Sequence, residues 1–232
     1  MQNNLQILCT RPLDEELIKE ANRKGIDIDI LSFIETEPIE SVEVQQEIEA
    51  VLNAAATAVF TSMNAVEAVE EHVIDEQPEW IIYCIGNKTK ELVKKYFPLS
   101  RVAGTADNAA ELAELIIEES TAEEIVFFCG DLRRDELPSI LKQHDIEVNE
   151  IVVYQTMLVP HKVHKEYLGI LFFSPSAVES FFIKNKLSTT TILFAIGATT
   201  ASTIRKYTTN KILIADQPGK ENLVEKMIEY FT

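Results

Sequence analysis

The sequence predicts an α/β protein made of two parallel-sheet domains joined by two extended crossings. Three observations carry that prediction. Strand-like and helix-like runs alternate along all 232 residues, as they do where right-handed helical crossovers connect parallel strands. The chain also repeats itself. "VFTSMNAVEAV" (59–69) is echoed by "FFSPSAVESFF" (172–182), and "IIYCIGNKTKELVKKY" (81–96) by "TILFAIGATTASTIRKY" (191–207). Gly86 and Gly197, Tyr96 and Tyr207, and Leu112 and Leu223 all keep an offset of 111 residues, which marks a duplicated structural unit. Finally, "ILCTRP…GIDIDI" near the start resembles "FFCGDLRRDELPSIL…IEV" in the middle. Each copy needs one such segment, so one domain is discontinuous.

The elements follow in order. "LQILC" is a short apolar strand, and Leu13, Leu17, Ile18 and Ala21 recur at helical spacing until Gly25 stops the helix. "IDIDILSF" alternates as a strand does. Ile48, Val51 and Leu52 mark the next helix face. Short strands follow at "AVF", "IIYCI", "RVAG" and "EIVFFC", with helices between them, and "EVNEIVVYQTML" is a long extended run rich in β-branched residues. The pattern restarts with "GILFFS", "TILFAI" and "KILIA", and ends in a helix carrying Leu223, Val224, Met227, Ile228 and Phe231. The repeats divide about ten core strands into two sheets of five. Residues 1–35 plus 159–232 form one domain and 40–150 the inserted one. The crossings fall at about 33–39 and 151–158, where "SFIETEP" and "VVYQTML" can pair as a short ladder.

Composition narrows the function classes. Hydrophobic residues make up 46% of the chain, as in an ordinary soluble globular protein. No signal peptide is recognised at the N-terminus, and no apolar run approaches the about 18 residues of a membrane span. Cys9, Cys84 and Cys129 are odd in number, lie in apolar strands and form no CxxC pair. They are expected to be buried, reduced thiols of a cytoplasmic protein. A formal net charge of −17 argues against nucleic acid, which requires a basic stripe, and against an anionic membrane surface. It leaves room for a small anion, because exposed charges are screened over about 8 Å at physiological salt. The acidic surface, without an evident apolar docking stripe, predicts a monomer.

Ligands of open parallel sheets sit beyond the carboxyl ends of the strands, and the repeated motifs fall there. Thr61, Ser62 and Asn64 follow one strand, with Ser174 and Ser176 at the matching place. Gly86 with Lys88 and Thr89 is matched by Gly197 with Thr199 and Thr200, and Gly130 and Arg134 follow a third strand. Ser, Thr and Asn at helix starts can simply cap the helix. Several such starts together can also bind carboxylate or phosphate through backbone N–H groups. No GxGxxG, GxxxxGK[ST] or GxSxG occurs, which removes support for dinucleotide, nucleoside-triphosphate and serine-hydrolase sites. His161 and His164 lack companion ligands, so no metal site is predicted.

In order and spacing the motifs resemble the uroporphyrinogen-III synthase family over nearly the whole chain. They are "TRP" (10–12), "FTSMNAV", "IGNKT", "CGDLRRDELP", "VYQT", "FFSPSAV", "IGATTA" and "ADQPGKENL". Ala65 stands where family members often have Gly. The resemblance implies two flavodoxin-like, doubly wound parallel-sheet domains joined by a two-stranded β-ladder, with the active site in the cleft between them. It implies a cofactor-free lyase that cyclises hydroxymethylbilane, a linear octacarboxylate tetrapyrrole. Closure loses water and inverts ring D to give uroporphyrinogen III for haem biosynthesis. The substrate would be handed over by hydroxymethylbilane synthase. Tyr154 in "VYQT" matches the family's recurrent Tyr and becomes the catalytic candidate. An aromatic residue merely packed in the ladder is its alternative. Thr89, Thr199, Thr200, Ser62, Ser174 or Ser176, Arg134, Lys88 and Arg11 become candidates for the substrate carboxylates, with Arg133 as a solvated neighbour.

Other classes remain to be weighed. A non-catalytic two-domain anion-binding or tetrapyrrole-binding module would use the same helix starts. A flavodoxin-like electron carrier would need FMN and be yellow. A receiver domain needs an acidic cluster after its first strand, and "LCTRPLDEE" offers acids only beyond a proline.

Overall fold

The structure, a computed structural model, describes residues 5–74, 77–217 and 219–232. In chain order it runs β1 (Leu5–Cys9), α1 (Glu15–Arg23), β2 (Ile26–Ile30), β3 (Ile34–Pro38), α2 (Val42–Leu52), β4 (Thr57–Phe60), α3 (Met63–Glu70), β5 (Ile81–Ile85), α4 (Asn87–Tyr96) and β6 (Arg101–Ala106). It continues with α5 (Ala109–Glu119), β7 (Glu124–Gly130), α6 (Glu136–Gln143), β8 (Glu147–Leu158), β9 (Gly169–Phe172), α7 (Pro175–Lys184), β10 (Ile192–Ala195), α8 (Ala198–Arg205), β11 (Ile212–Ile214) and α9 (Lys220–Phe231). Two compact units result: residues up to Glu35 with Met157–Thr232, and Thr36–Thr156.

The first unit holds a sheet in the order β11-β10-β9-β1-β2, and its strand pairs are parallel. Side chains alternate between its faces, as the strand period requires. Ile7, Cys9, Leu171 and Phe194 face α1 and α9, where Ala21, Leu223, Val224 and Met227 are buried. Leu8, Ile170, Phe172 and Leu193 face α7 and α8, where Val178, Phe181, Ala201 and Ile204 are buried. The sheet is thus doubly wound, with the strand order of flavodoxin.

The second unit has the order β3-β8-β7-β4-β5-β6. Ala58, Phe60, Ile82, Val126 and Phe128 pack on α2, α3 and α4. Val59, Tyr83, Ile125, Phe127 and Cys129 pack on α5 and α6. Trp80 closes one end of the first of these cores, fully buried, with its indole N–H donating to Val51 O at 3.0 Å. Apart from the edge strand β3, this sheet has the same order as the other one when β4 is matched to β9, β5 to β10, β6 to β11, β7 to β1 and β8 to β2. The two units are circular permutants of one arrangement. That is why the repeat keeps its offset from the start of α4 to α5, while the remaining part follows it in the second unit and precedes it, as β1 and β2, in the first.

The expected ten core strands become eleven among the described residues, because β3 joins the second sheet. β3 and β8 form the ladder. Ile39 N donates to Val153 O, and Val159 N to Phe33 O, both at 2.9 Å. One partner number rises as the other falls, so the strands are antiparallel. No helix among the described residues is long and apolar enough to cross a membrane.

Candidate functional site

In the second unit the connections reverse direction between β4 and β7. α3 leaves β4 on one face of the sheet and α6 leaves β7 on the other, so the crevice expected at such a switch point opens at their carboxyl ends. Thr61 and Ser62 follow β4, and Gly130 ends β7 beside it. Ser62 caps α3, its hydroxyl accepting from Asn64 N at 3.1 Å. Tyr154, on β8, reaches the same place. Its ring covers Gly130 so closely that a Cβ there would lie 2.4 Å from Cζ and 2.7 Å from the hydroxyl oxygen. Burial pushes the Tyr154 phenol up from its ordinary value, opposed in part by the nearby Ser62 side chain. The phenol is therefore protonated at neutral pH and can donate. Asn64 and Tyr154 also line a small recess with Glu37, Glu67 and Glu71, an acidic wall that the motif reading missed.

The register between β7 and β8 explains why Tyr154 points this way. Cys129 pairs with Val152, but Gly130 pairs with Tyr154, so Val153 is an inserted residue. Along β8, Val148 and Val152 face α5 and α6, whereas Ile151 and Val153 face the α3 side. Strict alternation would send Tyr154 to the α5 side. The bulge turns it to the α3 side, where it packs, and bulges near active sites re-aim side chains in this manner. The carbonyl of the extra residue is satisfied by Ile39 of the neighbouring chain segment.

Gly86 begins α4 with φ +79 and no side-chain cap, a backbone conformation that favours glycine. Lys88 is exposed on the first turn, while Thr89 is 5% exposed. Its side chain faces inward, so any contact it makes with a ligand falls mainly to its backbone N–H. Arg134 is exposed after β7. Arg133 differs from the solvated neighbour expected: its guanidinium pairs with Asp135 and with Glu150 of β8.

In the first unit the reversal lies between β9 and β1. Ser174 caps α7, accepting from Ala177 N at 3.1 Å, and its hydroxyl is 3.0 Å from that of the buried Ser176. Arg11 follows β1, is exposed, and lays its guanidinium over the Phe173 ring at 5.6 Å. Gly197 starts α8 without a side-chain cap but with extended backbone, φ −171. Thr199 is exposed and Thr200 is 3% exposed, matching Lys88 and Thr89 in the repeat. Helix starts without a side-chain cap leave N–H donors for an anion, and both units present one.

The remaining sequence candidates fall elsewhere. His161 packs edge-on against Phe33. No group of three or more His, Cys, Asp or Glu among the described residues could hold a metal. Pro218 of the last motif lies outside the described residues. The larger cavity, about 430 Å³, lies at the amino ends of β9 and β10 and is lined by no predicted site residue.

Comparison with known proteins adds the family. The family model described as uroporphyrinogen-III synthase HemD matches residues 15–225. A 121-residue stretch is 28% identical to the uroporphyrinogen-III synthase of Saccharomyces cerevisiae, covering 45% of this chain and 44% of that protein, so under half of the relative's length is matched. The crystal structure of uroporphyrinogen-III synthetase from Helicobacter pylori is similar with a TM-score of 0.69 at 17% identity, over 97% of this chain and 99% of that one. A mutant uroporphyrinogen III synthase from Thermus thermophilus gives 0.61 at 15% identity, over 98% and 97%. These two likenesses concern the fold. The family match runs from the first helix into the last and takes in both copies of the repeat, so this chain belongs to the uroporphyrinogen-III synthase family.

Proposed function

We propose that the protein is a uroporphyrinogen-III synthase, closing hydroxymethylbilane to uroporphyrinogen III with loss of water and inversion of ring D. Family membership over residues 15–225 carries the proposal. The substrate can lose its hydroxyl and close unaided to the symmetric type I isomer. The enzyme's task is to favour attack from the substituted carbon of ring D through a spiro intermediate. A hundredfold preference needs only about 2.8 kcal/mol of differential transition-state stabilisation, which orientation alone can supply.

The residues fit that task. Tyr154 donates a hydrogen bond to the departing hydroxyl, because burial keeps its phenol protonated. The starts of α4 and α8, which lack side-chain caps, receive substrate carboxylates through backbone N–H groups. Thr61, Ser62, Asn64, Gly86, Lys88, Thr89, Gly130 and Arg134 serve this role in one unit. Arg11, Ser174, Ser176, Gly197, Thr199 and Thr200 serve it in the other. Many contacts share eight carboxylates, so losing one costs roughly 1–3 kcal/mol. On this reading the protein is a cytoplasmic monomer supplied by hydroxymethylbilane synthase. Its three free, buried cysteines are consistent with a reducing compartment.

The test is a coupled assay. Porphobilinogen and porphobilinogen deaminase generate hydroxymethylbilane with and without the protein, and the oxidised uroporphyrin isomers are separated by chromatography. Type III appearing only with the protein is the expected result. Type I alone from folded protein would reject the synthase reading in favour of an anion-binding module. Full activity in Tyr154→Phe would remove Tyr154 from the chemistry.

A further inference from the structure

We propose that Asp131 is a positioning residue, holding the β8 backbone at Tyr154 and two residues beyond it so that the phenol stays beside Ser62; the proposal rests on the synthase reading above. Three observations meet at this point. Asp131 N donates to Tyr154 O at 3.1 Å. The Asp131 carboxylate Oδ1 accepts from Thr156 N at 2.9 Å. One residue of the β7–α6 loop thus binds β8 twice, at Tyr154 and two residues beyond it.

The second observation is the bulge. The Gly130–Tyr154 pair is the first after the register shift, and the bonds to Asp131 come directly after it. A bulge leaves local pairing disrupted, and beyond Gly130 it is Asp131 that defines, on the β7 side of β8, where Tyr154 sits. The ladder's regular acceptor for Thr156 N, a carbonyl of β7, is absent there, because β7 ends at Gly130. The Asp131 side chain extends the pairing one step past the end of its strand.

The third observation is the tight seat of the ring. Gly130 lies directly beneath it, leaving no room for a side chain, so the ring has a floor on one side and Ser62 near its hydroxyl. A small shift of the β8 backbone would carry the phenol off this seat. Asp131 is itself exposed, so its replacement leaves the buried core intact.

The experiment compares five proteins in the coupled assay at equal folded concentration: wild type, Asp131→Asn, Asp131→Ala, Tyr154→Phe and Asp131→Ala with Tyr154→Phe. Asn keeps an oxygen acceptor for Thr156 N and Ala does not. Asp131→Ala is expected to lower type III formation about tenfold, within the roughly hundredfold that ångström-scale misplacement costs. Asp131→Asn should stay within about twofold of wild type, since the Thr156 hydrogen bond survives. In the Tyr154→Phe background Asp131→Ala should add nothing. Equal losses for Asn and Ala would overturn the proposal, and so would an Asp131→Ala loss that multiplies onto Tyr154→Phe. A second readout does not depend on activity. The Tyr154 phenol is titrated by difference absorbance, each protein against the same protein carrying Tyr154→Phe. It should titrate lower in Asp131→Ala than in Asp131→Asn, since a displaced ring is more solvated while both variants lack the charge. Identical titrations would overturn the positioning role. If wild type makes only type I, the synthase reading falls, and the titration alone decides whether Asp131 holds the ring.

Discussion

Replacing Gly130 by Ala tests the geometry at the heart of the candidate site. The added Cβ would lie 2.4 Å from Tyr154 Cζ, 2.5 Å from Cε2 and 2.7 Å from the hydroxyl oxygen. Carbon atoms settle about 3.5–4.0 Å apart, so the ring must move by about 1 Å or more. The backbone raises no objection of its own, as Gly130 is not among the positive-φ glycines. Overpacking of this kind costs about 1–3 kcal/mol of stability. The same displacement should lower type III formation by up to about a hundredfold. Unaided closure continues meanwhile, so the isomer ratio moves toward type I. The coupled assay reads the ratio and urea unfolding reads the stability. Tyr154→Ala removes the colliding ring, so in that background Gly130→Ala should cost close to nothing. The resulting coupling of about 1–3 kcal/mol is what residues in contact show in a double-mutant cycle. A Gly130→Ala protein with unchanged stability and isomer ratio would refute the reasoning, as would an equal cost in the Tyr154→Ala background.

Other expectations concern single groups. Gly86 and Gly197 match in the repeat and both leave open space where an added methyl would stand, but Gly86 has φ +79 and Gly197 is extended. Gly86→Ala should cost about 1–2 kcal/mol and Gly197→Ala only a few tenths, as measured by urea unfolding. Equal costs would show that backbone strain does not separate them. Burial pushes the Cys9 and Cys129 thiols up to about 11. They should resist a thiol-specific disulfide reagent at pH 8 until the protein unfolds, and rapid labelling of the native protein would contradict this. Because their native values are raised, the stability they contribute is complete below the ordinary thiol value and is lost as pH rises through about 11. The Asp29 carboxyl is held below its ordinary value by hydrogen bonds from Lys165 and Tyr167, at 2.6 and 2.7 Å. Its contribution is present at neutral pH and is lost as pH falls below the usual carboxylate range. Asp29→Asn should cost under about 1 kcal/mol, since the ion pair is partly exposed, and should flatten the acid side of the stability profile; an unchanged profile would count against the pair.

Much of this protein is written locally. The alternation of apolar runs, the capping residues Ser62 and Ser174, and the 111-residue offset are properties of neighbouring residues or of copied segments. They sufficed for the α/β class and for the family resemblance. The switch-point positions of Ser62, Gly130, Arg11 and Ser174 also follow from motifs at strand ends. Other features were not visible in this way. Thr89 and Thr200 read as polar candidates, yet they turn their side chains inward, because the helical period places them on the buried face of α4 and α8. Arg133 and Arg134 are adjacent in sequence. Arg133 pairs with Asp135 close by in sequence, but its second partner, Glu150 on β8, is brought to it only by the fold.

Tyr154 shows most sharply where the division lies. Local pattern is enough to put an aromatic phenol in an extended segment near the end of the last parallel strand of its sheet. Period-two alternation would have sent that phenol to the α5 side with Val152. Its actual face depends on an inserted residue in the pairing of Cys129 and Gly130 with a strand more than twenty positions away. It depends also on the absence of a side chain at Gly130 and on the two hydrogen bonds of Asp131. Register is a relation between distant segments, settled by how whole faces of the sheet pack, and so the direction in which Tyr154 points is fixed by the folded sheet and not by its neighbours in the chain.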